Sequence, residues 1–364
     1  MSDYNMLTTY HGKKVLITGH TGFKGSWLTQ WLLELGSKIT GYALAPYSDP
    51  SLFEVLELEK QINSIIGDVN DYEKFSRAIQ EAEPDIIFHL AAQPLVRYSY
   101  QHPLETIKTN VLGTVNLLEI VRTLNLHTNI VVITSDKCYE NKEWMFGYRE
   151  NDPMGGYDPY SASKGATEIL TESYKKSFFP LSSYDKHQVH LASARAGNVI
   201  GGGDWSVDRI VPDTVKALTE GRPIEIRNPY STRPWQHVLE PLSGYIKMGA
   251  ELLNSNELAS QSFNFGPLIF SNRSVQDLVS SIIDLWGSGE WKTIEGITQK
   301  HEAKLLNLTI DKAFHLLKWT PVWNFDTTIQ ETTSWYQNYY QNQNQIKAFT
   351  VKQIKRYQDQ IKYI

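Results

Sequence analysis

Tyr160 and Lys164 stand four residues apart, a spacing that turns a phenol and an ammonium to the same side of a helix. A free phenol titrates near 10 and is a poor base at neutral pH, so a cation held beside it favours the phenolate. Such a pair can take a proton from a hydroxyl. Upstream, Thr134-Ser135-Asp136-Lys137-Cys138-Tyr139 sets a hydroxyl, a carboxyl and an amine in succession. Oxidation of an alcohol needs only a hydroxyl beside the Tyr–Lys pair; an adjacent acid and base imply a further proton-transfer step. Near the start, Gly19-His20-Thr21-Gly22-Phe23-Lys24-Gly25 has glycines at its first, fourth and seventh positions. A turn without side-chain bulk, opening a helix, aims backbone N–H groups at a pyrophosphate.

These groups need a frame. Continuous apolar runs at 15–18, 38–42, 65–66, 85–90, 130–134 and 189–193 read as strands, separated by helical patterns at 26–35, 72–82, 103–124 and 160–177. Val/Ile/Leu runs alternating with helices predict an α/β fold, a Rossmann-type doubly wound parallel sheet covered on both faces. The glycine turn then follows the first strand, and Ser135 follows the fifth, where such sheets place their ligands. Beyond Arg195 the rhythm changes. Gly201-Gly202-Gly203 and Pro212, Pro223, Pro229, Pro234 and Pro241 break the chain into short pieces. Helices are expected at 211–220, 238–253, 275–286 and 310–317, with small strands at 224–226 and 262–265. The division is a dinucleotide-binding domain over 1–195, a smaller substrate lobe over 196–340 with the chain free to cross back, and a polar, basic tail over 341–364. That tail reads as a solvated helix or frayed terminus without function.

Composition narrows the class. A net charge of −5 argues against a nucleic-acid binder with a broad basic face. The one cysteine, Cys138, rules out an internal disulfide framework and fits a reducing compartment. The polar opening, with Asp3, is neither a signal nor a transit peptide, and no apolar run reaches the ~20 residues needed to cross a bilayer. The expectation is cytoplasmic. The 10 histidines lack HxxxH or HExxH spacing, so no metal is expected. A chain with 10 Trp and 20 Tyr suits gripping flat rings, but large cores also consume aromatics, and the latter reading is preferred.

The GxxGxxG spacing resembles the extended short-chain dehydrogenase/reductases, and longer motifs narrow the likeness to the CDP-glucose 4,6-dehydratases. They are 19–27 (GHTGFKGSW), 135–141 (SDKCYEN), 158–160 (DPY), 195–205 (RAGNVIGGGDW) and 233–242 (RPWQHVLEPL). The resemblance implies a dinucleotide held by Gly19, Thr21, Gly22, Phe23, Lys24 and Gly25, with Asp68 and Val69 at the adenine. Leu90, Ala91, Ala92, Gln93 and Thr109 run beneath it, and Tyr160 and Lys164 close the site. It implies that Ser135 hydrogen-bonds the substrate alcohol, that Asp136 protonates the departing 6-hydroxyl and that Lys137, where dTDP-glucose relatives carry Glu, removes the C5 proton. Removal of a hydride from C4 makes a ketone that acidifies C5; the stored hydride then returns at C6. Gln93, Asn198, Arg209 and Arg233 would bind the nucleotide sugar, and Trp205 or Trp235 would stack on its base or wall the sugar. His237 reads as structural.

NAD is the cofactor the resemblance implies. The segment Gly41-Tyr42-Ala43-Leu44-Ala45-Pro46 has neither the usual carboxylate for a ribose 2′-hydroxyl nor an Arg for a 2′-phosphate, so NADP stays open. CDP-glucose is the implied partner, and the resemblance also implies a homodimer or higher homo-oligomer, with the helices at 103–124 and 160–177 at the subunit interface. Three other readings remain: a nucleotide-sugar 4-epimerase, which shares the Tyr–Lys pair without needing Asp136 and Lys137, a dehydratase of dTDP- or GDP-hexoses, and an inactive dinucleotide-sensing protein.

Overall fold

The computed structural model describes residues 6–294 and 305–361; Asp3 and the last residues of the tail lie outside them. Seven parallel strands form the central sheet: β1 (Lys14–Thr18), β2 (Lys38–Ala43), β3 (Asn63–Ile66), β4 (Ile86–His89), β5 (Asn129–Ile133), β6 (His190–Ala196) and β7 (Ser262–Phe265). Their order is β7-β6-β5-β4-β1-β2-β3, so the winding reverses between β1 and β4. Strand alternation fills both faces. Val15, Ile17, Phe88 and Val131 enter one core, while Leu16, Ile87, Ile130 and Val132 enter the other. The expected six strands are all present. The seventh comes from the short run placed in the second lobe, which crosses back to pair with β6.

Helix α1 (Phe23–Glu34) follows β1, and its Trp27, Leu28, Trp31 and Leu32 are fully buried. The long helix expected over 103–124 is instead three consecutive pieces: Pro103–Ile107, a π-helical turn Lys108–Leu112, and Gly113–Thr123. The wider turn brings Asn110 inward, where its amide bonds the Gln93 carbonyl at 3.1 Å and the Ser163 hydroxyl at 2.8 Å. Helix α2 (Pro159–Ser177) starts at an Asp158 cap, whose carboxylate accepts the Ser161 N–H at 2.9 Å. The expected helix over 310–317 is largely a π turn, Ala313–Leu317.

The tail departs from its reading. Ile346–Ile361 is a docked helix that buries Ile346, Thr350, Gln353, Ile354 and Tyr357. Its polar composition belongs to the outer face; the inward positions recur at helical spacing. The Tyr357 ring packs edge-on against Trp31 of α1, and its hydroxyl donates to Glu240 Oε2 at 2.6 Å. Glu240 lies in the first turn of helix α3 (Leu239–Leu253) and also accepts the backbone N–H groups of Val322 and Trp323. Burial pushes this carboxyl up to about 7, against those three donors.

That junction joins three segments distant in sequence. Tyr357→Phe should cost about 1–3 kcal/mol of unfolding free energy by leaving the buried carboxyl one donor short. Urea denaturation measures it, and an unchanged midpoint contradicts the account.

Candidate active site

A cavity of about 1040 Å³ opens at the carboxyl ends of the strands, around the β1/β4 reversal. The glycine turn forms one wall. Gly19 has φ +75°, and a Cβ there would lie 2.9 Å from the Ala91 nitrogen. A Cβ on Gly25 would lie 2.1 Å from the Gly19 carbonyl oxygen. Only glycines let the ends of β1 and β4 and the start of α1 approach this closely. Gly22 caps α1 without a side chain, which leaves the first N–H groups of that 12-residue helix to a ligand. Leu90, Ala91, Ala92, Asp68, Val69 and Thr109 complete this half of the wall. Asp68 Oδ1 accepts from the Asn70 backbone and side chain, while Asp71 does the capping of the next helix.

Lys24 reaches across to α3, its Nζ 3.4 Å from the Tyr245 hydroxyl. Burial, then Arg209 and Lys164, bring its ammonium down to about 7. Tyr245 had no signal of its own in the sequence, because its position reads as one more core aromatic.

Tyr160 and Lys164 enter from the first turns of α2, both nearly fully buried. Burial raises the phenol to about 12; a hydrogen bond with Ser135 and the charge of Arg209 pull it down, and Asp136 and Asp158 push it up. The Lys164 ammonium donates to the Ile133 carbonyl at 3.4 Å, and burial lowers it to about 8.

Ser135, Asp136 and Lys137 form a 3₁₀ turn directly after β5. The Ser135 hydroxyl donates to Asp136 Oδ1 at 2.8 Å and accepts the Lys137 N–H at 3.2 Å. Lys137 Nζ lies 3.3 Å from Asp136 Oδ1 and 3.4 Å from Asn198 Oδ1. Gly197 passes so near that a Cβ there would sit 3.0 Å from Asp136 Oδ2. A hydroxyl, a carboxyl and an amine are thus linked in one turn, in the cavity that the Tyr160 phenol also lines.

Across the cavity, Arg209 pairs with Asp204 at 3.2 Å, and Arg233 and Trp235 line the wall, the Trp235 indole donating to the Arg273 carbonyl at 3.0 Å. Two expected residues stand outside. Trp205 packs against Trp335, Tyr336 and Tyr339, so its ring belongs to the aromatic core rather than to a stacking surface. Gln93 spends its side chain on Thr106 and Leu95 at 2.8 and 2.5 Å, shaping the loop after β4. His237 is buried between Trp27 and Trp323, as a structural residue should be. Among the described residues no cluster of His, Cys, Asp and Glu could hold a metal, and no helix is long and apolar enough to cross a membrane.

The family model for GDP-mannose 4,6 dehydratase matches residues 16–332. The CDP-glucose 4,6-dehydratase of Salmonella typhimurium is 49% identical over 327 residues, covering 90% of this chain and 91% of that protein. A crystal structure of dTDP-glucose 4,6-dehydratase from Bacillus anthracis in complex with NAD superimposes with a TM-score of 0.72 at 22% identity, covering 89% of this chain and 96% of that one. UDP-glucose 4-epimerase from Thermotoga maritima, solved with UDP-glucose, gives 0.74 at 20% identity, covering 90% and 99%. The fold is therefore shared between dehydratases and epimerases, while the sequence match extends over nearly the whole chain: it belongs to the GDP-mannose 4,6 dehydratase family.

Proposed function

We propose that this chain converts CDP-glucose to CDP-4-dehydro-6-deoxy-glucose and water, with NAD as its hydride carrier. The observation that carries the reading is the contact of Asp136 with Ser135 and Lys137 in the cavity that Tyr160 also lines. An epimerase has no use for that acid and amine. The choice of CDP-glucose is supported by the 49% identity to the Salmonella typhimurium enzyme.

The turn of Gly19, Thr21, Gly22, Phe23, Lys24 and Gly25 would hold the pyrophosphate, Asp68 and Val69 the adenine, and Leu90 to Ala92 with Thr109 the floor. The cradle that a Cβ on Gly19 or Gly25 would fill fits a dinucleotide. No cation follows β2 among the wall residues Ala43, Leu44 and Ala45, which favours NAD over its 2′-phosphate. When bound, NAD supplies the acceptor for the C4 hydride and the donor that returns it at C6. Asn198, Arg209 and Arg233 would take the diphosphate and Trp235 the base or sugar.

The chain's own residues move the protons. The Tyr160 phenolate takes the proton of the 4-hydroxyl. The resulting ketone acidifies C5, and the Lys137 amine removes that proton while Asp136 protonates O6, which leaves as water. Lys137 then gives its proton to C5 as C6 is reduced. Tyr160 is left with a proton and Asp136 without one. Passage of the O4 proton from Tyr160 to Asp136 by way of the Ser135 hydroxyl, which donates to Asp136, replaces the proton that left in the water and restores every group.

With CDP-glucose the purified protein should yield a sugar that absorbs strongly in alkali and carries solvent deuterium at C5. Lys137→Ala should lower kcat by ~10²–10⁴-fold and stop that exchange. A product without alkaline absorbance, or a Lys137→Ala variant with unchanged turnover and exchange, contradicts the reading.

Leu104, Ile107 and Leu112, on the helical run before Thr123, and Ile169 on α2 are exposed. Apolar side chains on two adjacent helices suit a self-complementary dimer face. Sedimentation equilibrium should give twice the single-chain mass, and Leu104→Glu with Ile169→Glu should halve it. A wild-type monomer contradicts this assembly.

A further inference from the structure

Tyr160, Lys164 and Glu168 form one stripe along α2, each one turn beyond the last. The first two face the cavity; Glu168 lies beneath it, 3% exposed. Its carboxylate takes donors from three strands or their ends. Oε1 accepts the Thr134 hydroxyl, the residue between β5 and Ser135. Oε2 accepts Ser193 Oγ at 2.7 Å and Arg195 Nη2 at 2.8 Å, both from β6, with Ser262 Oγ of β7 at 3.4 Å. Arg195 continues the network: its Nη1 donates to the Tyr139 hydroxyl at 2.7 Å and to the Glu150 carbonyl at 3.0 Å. The Ser135-Asp136-Lys137 turn is therefore bracketed, by Thr134 before it and Tyr139 after it, by side chains answering to one carboxylate.

We propose that Glu168 is a positioning residue for the reaction, a buried clamp that sets the Ser135-Asp136-Lys137 turn against α2 and places its carboxylate one helical turn from Lys164. This rests on the reading that Tyr160 and Lys164 do chemistry. A buried ion pair is a poor source of net stability, since packed apolar side chains of similar volume do as well. What it supplies is orientation: a carboxylate accepting several fixed donors has one place to stand.

It also acts on charge. Lys164 is faced by Tyr160 and Glu168 on its own helix, Cys138 from the turn after β5, His89 from β4 and Lys24 from α1. Burial lowers Lys164 to about 8, and Glu168 is the first of the groups opposing that fall. Burial and Lys164 itself lower His89 to about 3, so it stays neutral and adds no second cation beside Lys164. Without Glu168 the ammonium sits lower and is lost at a lower pH.

The test is the pH profile of turnover in Glu168→Gln, which keeps the shape and removes the charge. The alkaline limb should move about one pH unit toward acid, with kcat about tenfold lower on that side and KM for CDP-glucose changed less than about twofold. Glu168→Asp should recover part of the shift. An unmoved limb, with only a lower melting temperature, overturns the proposal and leaves Glu168 a structural residue. If Glu168→Gln does not fold, Glu168→Gln/Arg195→Met avoids an orphaned guanidinium, and the same shift is expected of it. Lys164→Met separates the two claims: wild-type turnover there sinks the proposed chemistry and this inference together, whereas an inactive Lys164→Met beside an unmoved Glu168→Gln limb sinks the inference alone.

Discussion

Everything around the cavity answers to one constraint: an acid, an amine and a hydroxyl must touch each other at the buried end of β5. Asp136 is 3% exposed and receives the Ser135 hydroxyl and Lys137 Nζ on a single oxygen. Polar groups buried in this way are costly unless they are bonded and held. The fold holds them from every side. Gly197 leaves room for the carboxylate, the capped α2 fixes Tyr160, and Glu168 fixes the strand end from which the turn departs. The glycine turn brings the other half of the site to the same place, because β1 and β4 part where the winding reverses.

Burial also sets the charge states. It drives the Tyr160 phenol up to about 12 and draws Lys164 and Lys24 down to about 8 and 7. The phenol needs help to ionise near neutral pH; Arg209 and the Ser135 hydroxyl provide some of it. Lys24, Lys164, Arg209 and Arg233 line the cavity together with Asp136, Asp158 and Asp204, so cations and carboxylates both face it.

Much of this was legible in the sequence because it depends on local rules. Apolar runs of strand length predict the sheet, and the three glycines and the Tyr160/Lys164 spacing place the site on it. The rest depends on tertiary partners. Ser262–Phe265 looks like any short strand until β6 is seen to need a neighbour. The tail is polar in bulk, yet Ile354 and Tyr357 fall on one face and find α1 and Glu240. Trp205 could have stacked on a base; three aromatic rings from beyond residue 330 claim it instead. Gln93 follows a run of small residues that does line the cavity, but its amide is used within its own loop. Glu168 had a signal, its spacing from Lys164, without any hint of the strands it would reach.

The central claim is that one hydride leaves C4 and the same hydride arrives at C6 within a single active site. CDP-glucose carrying deuterium at C4 tests it directly. The account predicts a 4-keto-6-deoxy product with that deuterium in its C6 methyl group, in unlabelled water. Deuterium retained at C4 of an intact hexose, or lost to solvent, would contradict it.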